Sequence, residues 1–466
     1  MQVRLALILA LGVLAAGCGG GGGDAPAAEA ASLAPADALA YLTIDTSSGS
    51  AQLQSASSVL DKFPFKGTLL RSIRSSLAKN GVNVAALRSS IGPELDVAVL
   101  NVDGNTSAVG FTQPKDEKAF DAQLARGPTP SVHATIGGWT VFADTQAALD
   151  AVRHRTASLA AAAAFRAALM TVPNDAIVRA YASTGGLQAA LGRAAGTLGA
   201  AGTTRGPVAK AQWVAAALTS QDGAFKLEVH AKGETAAGVP TGAGLAGQIP
   251  SGSLVALSLA GGGRGVSARV KQQTSALSRR VGFDLGALLD ALGGPVIAYV
   301  KAGTPIPEVT VAARPPHPAR TAKAVGQLVV RLAHGAGTAV PTPVQGGLLD
   351  KVDLGSIAFY YGVSHDEVVV TDSANALSEL QSGSARLADD GIFKEAKDGA
   401  GMPDASQGFL YVDLEHGVPA LQEILRLANR KLPATVAANI RPLRSLLAFG
   451  SRDGDVESFV VYLKTS

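Results

Sequence analysis

The sequence of 466 residues has little cysteine and little charge, and each shortage excludes a class of protein. A single cysteine, Cys18, excludes a disulfide framework and any metal site built from several cysteines. Charged residues make up 17% of the chain with a formal net charge of +3, so it offers neither a basic face for nucleic acid nor an acidic tail. Hydrophobic residues still reach 47%, which excludes a solvated, disordered chain.

The apolar run near the N-terminus is too short to cross a membrane. Leu5–Ala16 follows the positive charge of Arg4 and has twelve residues, whereas a membrane-spanning helix needs about 20. A short apolar run between a basic residue and small residues is typical of a signal peptide. The sequence therefore predicts an exported protein.

The small residues behind this run end at the cysteine, in the order Leu14-Ala15-Ala16-Gly17-Cys18. This segment resembles the lipobox of bacterial lipoproteins, in which the cysteine thiol takes a diacylglycerol, the preceding peptide is cleaved and the new N-terminus is usually acylated. The resemblance implies a signal peptide over residues 1–17 and lipid attachment at Cys18. Fatty acyl chains such as palmitate then hold the protein on the extracytoplasmic face of the bacterial cell membrane. The alternative is an ordinary secretory signal followed by an incidental buried cysteine.

Residues 18–34 are rich in glycine and alanine and have no apolar periodicity, which predicts a flexible tether with a mean reach of roughly 20–25 Å. Beyond the tether the sequence indicates an internal repeat at a spacing of about 200–230 residues. The clearest match is a short helix, a Gly-Pro break and a buried strand, found at Val84–Leu100 and again at Leu285–Val300. We predict a first repeat over 35–232, a linker over 233–249 and a second repeat over 250–466.

Each predicted copy runs in the order strand, helices, strand, strand, helix, hairpin, helix, strand and hairpin. Turn signals such as Gly137-Gly138 and Asp222-Gly223 separate many of the strands. Because hairpins dominate, we predict an α+β fold of two tandem related repeats. Each repeat is expected to be a mainly antiparallel sheet with helices covering one face.

The first repeat begins with Leu33–Leu42, which places a leucine, a proline and an aspartate just before a strand. With the Gly-Pro motif and the two copies, it resembles the bacterial family catalogued as domain of unknown function 3352 (DUF3352), from about Leu33 to the C-terminus. Members of that family are typically secreted or lipid-anchored in bacterial envelopes, and the family has no established activity. The resemblance therefore implies a fold and a location, but no catalytic residues, cofactor or metal.

One pair of residues has the spacing of a catalytic motif. Ser76 and Lys79 are three apart, as in the Ser-x-x-Lys motif of penicillin-recognising enzymes, where the lysine activates the serine. No Lys-Thr-Gly strand follows, since Lys464 stands two residues before the end of the sequence. An exposed helix face is the alternative interpretation. Phosphate-binding loops, dinucleotide fingerprints and nucleophile elbows are missing from the sequence, so no cofactor is predicted.

The remaining candidates have structural explanations beside the functional ones. Asp144 and Asp372 stand at matched strand ends, where helix N-capping is the expected role. Asp45 ends a strand in the first copy and is matched by Ala260, so it is a candidate site residue or a turn former. Trp139 and Trp213 are expected to pack in the core. His365 is expected to lie at a solvated hairpin tip rather than to bind a metal.

Three functions stay open at this point. The first is a non-catalytic binding module, anchored in the envelope, for an apolar small ligand or an envelope protein. The second is a purely structural or interaction lipoprotein. The third is an envelope serine hydrolase that uses Ser76 and Lys79. A membrane is the partner expected in all three cases, through the lipid on Cys18, and nucleic acid is the partner of none.

Overall fold

The computed structural model describes residues 28–466, except for residues 48, 80–85, 87–88, 126–130, 190–210, 234–245, 262–293, 304–306, 333–337, 346, 354–357, 382–384 and 428. The described residues form an α+β fold with eighteen strands, and the strand pairs given below are antiparallel. The α+β class and the antiparallel pairing are therefore confirmed. The chain divides into two compact units. Unit 1 runs to Thr235 and includes Gly454–Ser458 and Thr465, and unit 2 is Ala236–Asp453 with Phe459–Lys464 and Ser466.

Unit 1 is built on a sheet whose strands follow the order β4-β5-β3-β2-β1-β6-β7-β8. Helices accompany these strands, and the bounds of five of them are given below. The strands are β1 (Ala40–Asp45), β2 (Glu94–Val102), β3 (Asn105–Thr112), β4 (Val132–Ile136), β5 (Trp139–Ala143), β6 (Val178–Ser183), β7 (Trp213–Gln221) and β8 (Ala224–Lys232). The helices are α1 (Ala51–Asp61), α2 (Lys66–Lys79), α3 (Glu117–Ala125), α4 (Gln146–Arg153) and α5 (Ala163–Leu169).

Tight turns connect the hairpins of unit 1 where the sequence predicts them. Gly137 and Gly138, between β4 and β5, have φ angles of 57° and 80°, and Asp222 and Gly223, between β7 and β8, have 51° and 75°. Two successive residues at positive φ make the turn that matches the twist of a two-residue hairpin, and glycine and aspartate tolerate it well. These turns fix the register of the strands on either side.

Helices pack on both faces of the unit 1 sheet, so the prediction of one covered face is wrong for this unit. Tyr41 and Val141 lie on the face that packs with Leu149 of α4 and Phe165 of α5. The opposite face carries Ile44, Leu95 and Phe142, which pack with Phe120 of α3. Because alternate residues of a strand point to opposite faces, strands buried on both sides are apolar at nearly every position, as β5 is.

The predicted tether is shorter than the sequence indicates. Residues 28–34 belong to the core of unit 1, where Ala30, Ala31 and Ala34 are buried beside Leu159. The amide of Leu159 donates a hydrogen bond to the carbonyl of Ala34 at 2.8 Å. Alanine side chains are small enough to let two backbone segments approach closely, and this packing role was not apparent from composition alone.

Residues near the C-terminus complete unit 1. The last strand, β18 (Val456–Thr465), follows a turn at Gly454. The amide of Thr465 donates to the carbonyl of Gly223 at 2.9 Å, and its hydroxyl accepts from Nζ of Lys62 at 2.9 Å. Ser458 Oγ lies 2.8 Å from Nδ1 of His230. Unit 1 is therefore assembled from segments that lie far apart in the sequence.

Unit 2 contains a sheet in the order β12-β13-β14-β15-β11-β10-β9-β16-β17. Buried Ile249, at the end of the predicted linker, precedes the first of these strands. The strands are β9 (Ser253–Leu259), β10 (Val296–Lys301), β11 (Glu308–Ala313), β12 (Val340–Val344), β13 (Gly347–Asp353), β14 (Ala358–Ser364), β15 (Glu367–Thr371), β16 (Gly408–Asp413) and β17 (Leu443–Asp453). The described helices are α6 (Pro318–Leu332), α7 (Ala376–Gln381), α8 (Gly391–Ala400), α9 (Leu414–Leu427) and α10 (Ala434–Ile440).

Helix α6 covers the β13–β15 part of the unit 2 sheet. It begins with Pro318, a residue suited to the first turn of a helix because its missing N–H has no partner there anyway. Val325 and Val329 point from α6 into a buried cluster with Val352, Tyr361 and Val368. Their spacing of four residues places both valines on one face of the helix. This packing sets the position of the candidate site.

Candidate functional site

A groove of about 770 Å³ runs between α6 and strands β13 and β14 of unit 2. This volume lies within the range of roughly 300–1,000 Å³ that is usual for small-molecule sites. One wall is α6 and the other is the face of the strands that carries Tyr361. The lining residues are Ala319, Ala322, Lys323, Gly326, Gln327 and Val330 on the helix, and Asp350, Tyr361, Gly362 and Val363 on the strands.

Gly326 determines how the Tyr361 ring is held at the centre of the groove. A Cβ atom at position 326 would lie 2.6 to 2.8 Å from two ring carbons and the hydroxyl oxygen of Tyr361, closer than real Cβ atoms approach any other atom. Only glycine lets the aromatic ring rest directly against the helix backbone. Tyr361 belongs both to the buried cluster beneath α6 and to the lining of the groove.

The groove combines apolar walls with a few polar groups of both charges. Lys323 supplies an ammonium, Asp350 a carboxylate, Gln327 an amide and Tyr361 a phenol. Burial raises the pKa of the Tyr361 hydroxyl, and the negative charge of Asp350 adds to the shift, so the phenol stays protonated and can donate. Such a lining can hold a ligand with an apolar body and a polar head.

Apolar side chains extend the groove at one end. Val363 lies two residues beyond Tyr361 on β14 and is 40% exposed, and Leu348 lies two residues before Asp350 on β13 and is exposed. Residues two apart on a strand share a face, so both side chains continue the surface that Tyr361 and Asp350 begin. Exposed aliphatic side chains next to a cavity are a usual feature of ligand-binding grooves.

The residues that the sequence analysis singled out for chemistry do not lie in this groove. Cys18, the predicted lipid-attachment residue, lies outside the described residues. Ser76 and Lys79 are on α2 of unit 1, and both side chains are exposed. A serine nucleophile that works with a lysine needs a base of perturbed pKa in a partly enclosed site, and the exposed face of α2 supplies no such enclosure.

The two aspartates predicted to cap helices do not cap them. Thr145 is the N-cap of α4, because its hydroxyl accepts from the amide of Ala148, and both carboxyl oxygens of the neighbouring Asp144 are buried without a hydrogen-bond partner among the described residues. Asp372 accepts from the amide of Val309 at 2.7 Å, across the sheet from the helix that it was expected to cap. In the first case the neighbouring Thr145 caps the helix instead of Asp144. In the second case the side chain of Asp372 binds the backbone of a strand instead of a helix N-terminus.

The structural alternatives hold for the other candidates. Asp45 is buried and accepts from the amide of Ser47 at 2.8 Å, the geometry of an Asx turn, so it is a turn former. Trp139 and Trp213 are both in the unit 1 core. His365 has a φ angle of 50° in the turn between β14 and β15, and its side chain is exposed.

The described residues contain neither a metal-binding cluster nor a helix suited to cross a membrane. No group of three or more His, Cys, Asp or Glu side chains in the described ranges is placed to hold a metal ion. No helix in the part of the chain that the structure describes combines the length and the apolar character needed to span a bilayer.

The groove residues were missed because no single one of them forms a motif. The sequence also did not predict the β12–β13 hairpin that completes the strand wall. Comparison with known proteins adds no further assignment, since no family model, no curated protein and no solved structure matches the chain. The function must therefore be argued from the groove and from the sequence.

Proposed function

We propose that the protein is a lipid-anchored, non-catalytic binding protein of the bacterial cell envelope, and that its ligand occupies the groove beside α6. The observation that carries this proposal is the groove itself, about 770 Å³ in volume, with apolar walls and a small set of polar groups. Because Lys323 and Asp350 both line the groove, the matching ligand is a zwitterionic lipid with a single acyl chain. The phosphate of the lipid pairs with the ammonium of Lys323, and the ammonium of the lipid pairs with the carboxylate of Asp350. The acyl chain packs against Val330 and Val363.

The lipobox at residues 14–18 supports the anchoring part of the proposal. Ala28, which already packs in the core of unit 1, lies ten positions after Cys18. Ten residues span at most about 35 Å when fully extended, so an acylated Cys18 holds unit 1 close to the bilayer. More than one acyl chain is needed for a stable anchor, which agrees with the diacylglycerol and the amino-terminal acylation that the resemblance implies. Membership of DUF3352 stays a prediction.

We also propose that residues 35–232 and 250–466 are related repeats, because the two units share local contacts and a strand order. Leu159 donates to the carbonyl of Ala34, and Leu387 donates to the carbonyl of Ile249, both at 2.8 Å. Phe165 packs edge-on against Tyr181, as Phe393 does against Tyr411, with centroid distances of 5.1 and 5.0 Å. The order β5-β3-β2-β1-β6-β7 in unit 1 corresponds strand for strand to β15-β11-β10-β9-β16-β17 in unit 2.

Native mass spectrometry of the full chain tests the binding function. The probe is lysophosphatidylethanolamine, which has one acyl chain and a zwitterionic head, and lysophosphatidylglycerol and a monoacylglycerol serve as anionic and uncharged comparisons. We expect stoichiometric binding of the zwitterionic lipid and weaker binding of the other two. A Val363→Lys variant should lose about tenfold or more in affinity, since it places a charge where the acyl chain packs.

The matched control is Val309→Lys in the same unit. Val309 is 44% exposed, close to the 40% of Val363, but it does not line the groove. This variant should bind the lipid as the parent chain does. Failure of all three lipids to bind, or equal losses in the two lysine variants, would overturn the proposal. Stable capture of an envelope protein by a chain that binds no lipid would instead support the structural alternative.

A further inference from the structure

Unit 1 buries a cluster of ionisable side chains in the middle of its sheet. On β1, Thr43 lies directly opposite Asp96 of β2 and directly opposite Arg179 of β6. Tyr41 lies two residues earlier on β1 and therefore shares this face, and Asp45, two residues later, lies opposite Glu94. All six side chains are more than nine-tenths buried, and Asp96 is 0% exposed.

The polar atoms of this cluster are poorly paired. Neither carboxyl oxygen of Asp96 has a hydrogen-bond partner among the described residues, and the Tyr41 hydroxyl and Oε1 of Glu94 are also without one there. Arg179 donates from Nη1 to the side chain of Asn174 at 3.3 Å. A buried carboxylate without hydrogen bonds is costly, and it is usually avoided by keeping the group protonated.

The charges of the cluster do not balance if every acid is ionised. Arg179 is the one cation among these six side chains, whereas Asp45, Glu94 and Asp96 are three acids. Asp45 accepts a hydrogen bond from the amide of Ser47, and Asp175, which precedes β6, adds to the negative field at Arg179. Within this cluster, the single positive charge of Arg179 cannot balance negative charges on both Glu94 and Asp96.

The surroundings of Asp96 raise the pKa of its carboxyl group. Burial raises the pKa of Asp96 well above its usual range, and the adjacent carboxyl of Glu94 raises it further. Burial lowers the pKa of Arg179, and the nearby acids, first Glu94 and then Asp96, counteract this effect. The arrangement therefore favours a neutral Asp96.

The fold does not require this cluster. In unit 2, the central strand β9 places Ser258 directly opposite Ile297 of β10 and directly opposite Phe409 of β16. Ile297 and Phe409 are buried, and they fill with apolar atoms the kind of position that Asp96 and Arg179 occupy in unit 1. Because apolar side chains commonly replace buried ion pairs without loss of stability, retention of the ions points to a role other than packing.

We propose that unit 1 carries a buried proton-binding site, in which the unpartnered carboxyl of Asp96, beside Glu94 and Arg179, holds a proton at neutral pH. The proton comes from water and returns to it, and no other bond forms or breaks. Loss of this proton leaves two buried carboxylates on one guanidinium, which destabilises the strands that carry them. The site therefore links the local stability of β1, β2 and β6 to the pH outside the cell membrane.

The sign of this linkage follows from the direction of the shift. A carboxyl whose pKa is higher in the folded than in the unfolded chain binds its proton more tightly when folded. Its contribution to stability is complete below the ordinary pKa of aspartate and is lost as the pH rises through the raised value. Unit 1 should therefore lose stability as the solution becomes more alkaline.

Infrared spectroscopy of the full chain tests the site directly. A protonated carboxylic acid has a carbonyl band distinct from that of carboxylates, and aspartate labelled with ¹³C at the side-chain carboxyl assigns this band to Asp. We expect an Asp acid band that persists at pH 7 and disappears only in alkaline solution. It should be absent from Asp96→Asn and unchanged in Asp103→Asn, a control at the exposed turn that follows β2.

A second variant keeps the test informative if Asp96→Asn does not fold. In Glu94→Gln the neighbouring acid is gone, so the Asp96 band should disappear at a lower pH than in the parent chain. Carboxyls that all titrate in the ordinary acidic range of the parent chain would overturn the proposal. An acid band at pH 7 that survives Asp96→Asn would overturn it too, as would a Glu94→Gln variant that titrates like the parent chain.

Discussion

The ring of Phe165 lies edge-on against the ring of Tyr181, with centroids 5.1 Å apart and an angle of 82° between the planes. The same phenylalanine contacts Tyr41 in a second edge-on pair at 5.6 Å. Phe165 therefore connects α5 to two neighbouring strands, β1 and β6, that are distant in sequence. Edge-to-face pairs of this kind add about 0.5–1.5 kcal/mol each beyond the apolar area that they bury.

Replacement of Phe165 by alanine should therefore destabilise unit 1 by about 3–5 kcal/mol, since it leaves a cavity beneath α5. Hydrogen exchange measured by mass spectrometry should show faster exchange in peptides from β1 and β6. The control is Met170→Ala immediately after the same helix, where the side chain is 81% exposed and the expected change lies within about 0.5 kcal/mol. Similar effects from both variants would contradict the central position of Phe165.

Gly326→Ala should disturb the groove of unit 2, because the new methyl group meets the Tyr361 ring. Overpacking of this kind costs about 1–3 kcal/mol, and displacement of the ring should weaken binding of the zwitterionic lipid. Thermal unfolding and native mass spectrometry measure the two effects. Gly67→Ala in α2 is the control, since nothing lies within 4 Å of the added atom, and a small gain in stability is expected from the better helix former. If Gly67→Ala is destabilised as well, the loss of stability in Gly326→Ala cannot be assigned to the contact between the new methyl group and Tyr361.

Cys18→Ser should prevent lipid attachment, because the serine hydroxyl does not replace the thiol nucleophile. We expect the variant to be released from the membrane fraction or to keep its signal peptide unprocessed. Fractionation of cells, followed by mass spectrometry of the N-terminal peptide, measures both outcomes. A variant that is processed and remains in the membrane fraction like the parent chain would rule out the lipoprotein hypothesis.

The start of α9 should respond to pH through His416. Asp413 accepts hydrogen bonds from the amide of His416 at 2.9 Å and from its Nδ1 at 2.7 Å. This hydrogen bond, and then the charge of Asp413, raise the pKa of His416 above its usual value of about 6.5. The stabilisation is complete below the usual pKa and is lost as the pH rises through the raised value. Amide protection at the start of α9 should fall over that range.

Asp413→Asn is the matched variant for this pH effect. The asparagine retains a side-chain oxygen for the helix cap but lacks the negative charge, so the cap should persist while its pH dependence disappears. NMR titration of the His416 ring should show a lower pKa in the variant than in the parent chain. Equal ring titrations in the two proteins would refute the assigned role of Asp413.

Much of the fold could be predicted from turn chemistry and alternation. Gly137-Gly138 and Asp222-Gly223 lie in the predicted turns, and β2 and β10 end within one or two residues of the ends predicted at Leu100 and Val300. The β12–β13 hairpin was missed because Pro341 and Pro343 interrupt β12, and proline normally argues against a strand. Within the described residues β12 pairs with β13 alone, so the missing N–H groups are tolerated there.

The sites were harder to predict than the strands. Asp96 and Arg179 are 83 positions apart and meet only because both pair with β1, a relationship that one sequence does not reveal. Gly326 and Tyr361 likewise become neighbours through the packing of α6 on the sheet. Lipid attachment at Cys18 was the one chemical prediction available from local spacing, because a lipobox is a contiguous motif.

The hydrogen bonds that join Thr465 to Gly223 and to Lys62 have a consequence for the order of folding. Most of unit 1 precedes unit 2 in the sequence, but residues 454–458 and 465, which complete unit 1, are synthesised after most of unit 2. Unit 1 therefore cannot reach its final form until most of unit 2 has been made. A unit that is completed so late stays unfinished for longer, which favours assistance by a holding chaperone.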